Sequence, residues 1–103
     1  MKAHHETLDC YTLALDVARW LRAQRFPRGS AHLRDQAIRA SESMVLNIAE
    51  GAYQSEKSRL HHYRLAKGSS GECLAILDLL DPPGAHERKV QLRRVIAMLS
   101  KMR

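Results

Sequence analysis

Every proline in this chain, and two of its five glycines, falls in one of two short clusters, Phe26-Pro27-Arg28-Gly29 and Asp81-Pro82-Pro83-Gly84. Proline lacks the backbone donor a helix needs and clashes with the preceding turn, so neither cluster can lie inside a helix. The regular structure must lie outside and between them. There the apolar residues recur at i, i+3, i+4 and i+7, the period of amphipathic helices. The chain holds one Trp, three Tyr and one Phe. A core drawn mainly from Leu, Ile, Val, Ala and Met suits helices better than a sheet. At 103 residues, one domain spanning 1–103 is expected, with room for one core.

The first helix is expected from about Glu6 to Arg25. Leu8, Cys10, Tyr11, Ala14, Leu15, Ala18 and Leu21 share one broad face. Leu13, Val17 and Trp20 form a second apolar stripe at i, i+4, i+7. One buried face per helix suffices for a monomeric bundle, so this stripe is either an oligomer contact or a Trp20 folded over the bundle edge. The second helix opens at Ser30, a candidate N-cap, and runs to Glu50, with Gly51 as a left-handed stop. Leu33, Ala37, Ala40, Ser41, Met44, Val45 and Ile48 form its core face. Beside them runs a polar edge that includes Gln36, Ser43, Asn47 and Glu50.

The third helix is expected from an N-cap at Ser55 to about Leu80, with a core face of His62, Leu65, Ala66, Ser69, Cys73, Ile76, Leu77 and Leu80. Gly68 and Gly71 sit mid-helix, where each is worse than Ala by about 1 kcal/mol, which points to close approach of a neighbouring backbone. The connection Ala52-Tyr53-Gln54 is short, so the second and third helices are antiparallel neighbours. Counting back from it sets Gln36 to Arg39 opposite Gly68 to Glu72. A partly buried Glu72 then needs a hydrogen bond from Gln36 or Arg39. The fourth helix runs from about Ala85 to Arg103 on a core face of Leu92, Val95, Ile96, Leu99 and Met102. The expected fold is an all-α, antiparallel up-down-up-down four-helix bundle.

The formal charge is +6, and residues 81–103 carry six basic against two acidic side chains. Arg88, Lys89, Arg93, Arg94 and Lys101 are the candidate phosphate contacts, to RNA or DNA. With few aromatics, such binding would work through phosphates and not by base stacking.

Other chemistries fit poorly. His62 and Cys73 lie about 16 Å apart along a helix axis, too far for a nucleophile and its base. Glu50 and Glu72 fall several turns apart in the expected register, which disfavours a carboxylate pair. The pairs His4-His5 and His61-His62 are adjacent in sequence, so their side chains diverge on a helix, and no metal-ligand spacing is present. Arg25 and His32 have the spacing of a helical ribonuclease motif, but Pro27 and Gly29 break the helix between them. Gly68-Ser69-Ser70-Gly71 lacks the Gly-Lys-Ser/Thr of a phosphate-binding loop. No enzyme activity, metal or cofactor is expected. The opening MKAHHETLD contains no apolar run, no stretch is long and apolar enough to span a membrane, and the two cysteines fit reduced core thiols. A cytoplasmic protein is the expectation.

Asn47-Ile48-Ala49-Glu50-Gly51, preceded by Ser43 and followed by Gly68-Ser69 and Glu72, forms a pattern together with Leu33, Gln36, Arg39-Ala40 and Phe26-Pro27. In these residues the chain resembles the bacterial four-helix-bundle proteins first noticed as reading frames in intervening sequences of 23S ribosomal RNA genes. The resemblance covers roughly residues 8–100. It implies a homo-oligomer, with a ring of five as the expected form, and nucleic-acid binding. The chain departs from that pattern in Arg59 and His62, where aromatics are expected, and in its short last helix. Gln36, Arg39, Ser43, Asn47, Glu50, Gly68, Ser69 and Glu72 are read as a structural polar cluster, with Asn47 and Glu50 holding the turn at Gly51.

Overall fold

A computed structural model describes residues 1–102; Arg103, the expected end of the fourth helix, lies outside the described residues. A single 3-10 turn, His4–Thr7, precedes four helices: α1 (Asp9–Ala23), α2 (Ala31–Gly51), α3 (Glu56–Leu80) and α4 (Ala85–Lys101). Each packs on its sequence neighbours and α4 also packs on α1, which closes an antiparallel four-helix ring around one core. No strand occurs among the described residues. The expected first helix is divided at Leu8, whose extended backbone separates the 3-10 turn from α1. His5 ties that turn down: its Nδ1 lies 2.8 Å from the Tyr53 hydroxyl.

The breaker clusters act as their composition predicts. Asp81 takes a left-handed conformation at φ 42° and its N–H donates to Leu77, ending α3. Gly84 at φ 85° opens α4. A side chain on Gly84 would also meet Trp20, since an added Cβ would sit 3.3 Å from the indole. Gly51 behaves differently from expectation. It is the last helical residue of α2 and is not left-handed. Glycine is needed there because a Cβ would lie 2.7 Å from the Tyr63 ring.

The α1 faces are corrected by the packing. Val17 is fully buried and not free for a second copy, while Leu13 is partly buried against the core. Trp20 folds over the end of the bundle, against Gly84 and under the Arg88 guanidinium 5.6 Å from its ring. The physical reason is that α1 lies between α2 and α4. It buries one stripe against each, so two apolar stripes belong to one monomer.

In α3 the buried residues are Tyr63, Ala66, Ser70, Cys73, Ile76 and Leu77. The face is rotated from the expected one, leaving Leu65 45% exposed and Glu72 exposed. The axial register is close to the expected one: Ser69 meets Ser43, and the Cys73 thiol lies 3.7 Å from the Ala37 carbonyl. Rotation is what carries Glu72 into solvent. No hydrogen bond joins it to Gln36 or Arg39, which are themselves exposed.

Candidate nucleic-acid interface

The five α4 cations separate into two groups. Arg88 is directed inward: its side chain is 19% exposed, and it holds Asp16 at 2.6 Å and Glu87 at 3.4 Å while covering Trp20. Lys89, 16% exposed, reaches Asp78 at 3.3 Å and Asp81 at 3.8 Å, tying α4 to the end of α3. These two serve the fold, and their charge is already matched. Arg93, Arg94 and Lys101 are exposed and form no ion pair among the described residues. Helical spacing predicts five basic residues on α4 but cannot show which of them have carboxylates within reach on other helices.

The polar cluster is real in part. Asn47 Nδ2 donates to the Ser43 carbonyl at 2.9 Å and lies 3.2 Å from the Ser43 hydroxyl. That orientation leaves Asn47 Oδ1 to accept from His62 Nδ1–H at 2.9 Å, which sets the tautomer of His62. Ser69 donates to Ser43 Oγ at 3.0 Å. The chain Ser69–Ser43–Asn47–His62 therefore pins α2 to α3. His62, expected on a core face, is its fourth member. The Glu50 side chain lies outside it, exposed beside the His5–Tyr53 contact, and Glu50 holds the turn through its backbone alone, its carbonyl accepting from the Tyr53 N–H at 3.1 Å. Gly68 and Gly71 also fall outside the expected role: a Cβ on either would meet nothing within 4 Å.

Burial, with the Glu72 charge second, pushes the Cys73 thiol up to about 12, and burial also raises Cys10 and Tyr63. Thiols held protonated in this way are poor nucleophiles. Among the described residues, no group of three or more His, Cys, Asp or Glu side chains could hold a metal ion, and no helix is long and apolar enough to cross a membrane.

Fold and site together define a basic antiparallel four-helix bundle with a hydrogen-bonded α2–α3 seam. The chain belongs to the 23S rRNA-intervening sequence protein family, whose model matches residues 6–102. No curated protein matches it.

Proposed function

We propose that this protein is a non-enzymatic, homo-oligomeric bundle that binds RNA or DNA through phosphates, with little sequence specificity. The distribution of ion pairs carries this reading. Arg22, Arg88 and Lys89 engage five carboxylates, those of Glu42, Asp16, Glu87, Asp78 and Asp81. Three basic residues thus account for five of the eleven acidic ones, and the surface left unpaired is more one-sidedly basic than the formal +6. Arg93, Arg94 and Lys101 lie on it. Repetition of that surface by symmetry would add the fields of the copies.

Two exposed apolar features support assembly. On α3, Leu65, Gly68, Glu72, Ala75 and Leu79 share one outward stripe, with Leu79 73% exposed. Gly68 leaves that stripe open to close approach by another helix. Between α1 and α2 lies a cleft lined by Leu15, Ala18, Val45 and Leu46, bridged by Arg22 and Glu42 at 2.9 Å. A ridge and a cleft on different faces pair head to tail, the kind of contact that builds a ring when its rotation closes. Five copies is the number the family resemblance implies.

Filter binding of a short RNA and a short DNA at two salt concentrations tests the reading. Affinity should fall steeply with salt, and an Arg93→Gln, Arg94→Gln, Lys101→Gln variant should bind more weakly with a shallower slope. No binding at ~50 mM salt would overturn it. The exposed Leu79 and Leu46 would then favour a protein-interaction scaffold.

A further inference from the structure

A groove of about 410 Å³ runs between α3 and α4, lined by Leu60, Tyr63, Arg64, Lys67, Leu99, Ser100 and Met102. Among the described residues, two cations and no carboxylate side chain face it. The other clefts differ: one pairs Arg19 and Arg22 with Glu42, one sets Asp35 beside Arg39, and one holds Glu50 and no Lys or Arg. Arg64 forms no ion pair or hydrogen bond among the described residues, and Lys67 forms no ion pair.

Lys67 is held over this groove. Its Nζ lies 3.4 Å from Ser100 Oγ, and Ser100 donates its own proton to the Ile96 carbonyl at 2.8 Å. The hydroxyl therefore acts as an acceptor that draws the ammonium across to α4, with the remaining ammonium protons free. Arg64 and Lys67 are i and i+3 on one helix, so their Cβ atoms are about 5–6 Å apart. A guanidinium and an ammonium at that spacing, on a groove with no acidic side chain among the described residues, suit an extended polyanion.

We infer that the α3–α4 groove is a phosphate subsite in which Arg64 and Lys67 hold consecutive phosphates of a nucleic-acid strand. The inference rests on the nucleic-acid reading above, and it adds to the exposed α4 cations two contacts on α3 that the charge pattern of the last helix does not reveal. Ser100 is a positioning residue for Lys67.

The test uses the full chain, ¹⁵N-labelled, titrated separately with sodium tripolyphosphate and with a short oligothymidylate. Both probes should shift amides near residues 60–67 and 96–102. Arg64→Gln with Lys67→Gln, both exposed, should abolish the tripolyphosphate shifts and lower the log–log salt slope for the oligonucleotide by about 1.4, from two single-strand contacts at about 0.7 each. Tripolyphosphate that leaves the groove amides unmoved would overturn the inference, as would shifts that persist in the double variant. Oligonucleotide binding with an unchanged slope in that variant overturns the groove and leaves the general reading intact. Tripolyphosphate binding without oligonucleotide binding overturns the nucleic-acid reading and reassigns the groove to a free polyphosphate.

Discussion

Gly51 is the residue whose role changes most between sequence and structure. At the end of a helix, glycine predicts a left-handed cap. In the structure the limit is space: the Tyr63 ring, 4% exposed, fills the place a Cβ would take. Gly51→Ala should therefore destabilise by about 1–3 kcal/mol through overpacking, although Ala is the better helix former. Urea unfolding measures this, and a stabilised variant would show that the ring yields. Cys73 makes a second prediction at this scale. Its thiol ionises near 9 when unfolded and near 12 when folded. Between those values the unfolded chain has lost a proton that the native state keeps, so stability must fall as pH rises. The full stability is kept below about pH 9. Unfolding free energies at pH 8 and 10 should differ by about 1 kcal/mol from this group, with Cys10 acting in the same direction. Cys73→Ala should flatten the decline, and an identical slope in the variant would exclude the thiol as its cause.

At the scale of the element, α2 and α3 form the central pair, and their seam is polar as well as apolar. The periodicity of α2 is legible because its small residues leave one clear face, and all of Ala37, Ala40, Ser41, Met44, Val45 and Ile48 are buried. The face of α3 is harder to place. It packs on both α2 and α4, so its buried arc is centred between them, and His62 and Ser69 become the α2-facing edge. Asn47→Ala removes the acceptor for His62 and the donor to Ser43 together. A loss of about 1–2 kcal/mol is expected, with an unchanged dependence on denaturant. A midpoint equal to wild type would mean that water replaces the amide at no cost.

For the whole molecule, the packing of α1 bears on the assembly proposal. Leu13 and Val17 pack into the monomer, and Trp20 closes its end. Sedimentation equilibrium should therefore give Trp20→Ala the wild-type mass with a stability lower by about 2–3 kcal/mol, below the loss for a fully buried Trp. Leu79→Glu on the α3 stripe should instead reduce the mass toward the 11.7 kDa monomer. A wild-type sample that is itself monomeric would remove the assembly proposal.

What the sequence determined by itself is the set of elements and their order. Proline and glycine chemistry placed the α1–α2 and α3–α4 breaks, Ser30 and Ser55 marked the helix starts, and a local period of 3.6 residues named most of the core. These are effects of neighbours in the chain, and neighbours are visible in sequence. The tertiary structure decided how far each helix turns about its axis and which charges meet. Whether Arg88 is free depends on Asp16, 72 residues away, and Lys67 is held by Ser100, 33 residues away. A rotation of one residue sends Glu72 into solvent and brings Tyr63 against Gly51. Such pairings come from packing between helices, and no spacing within a single helix encodes them.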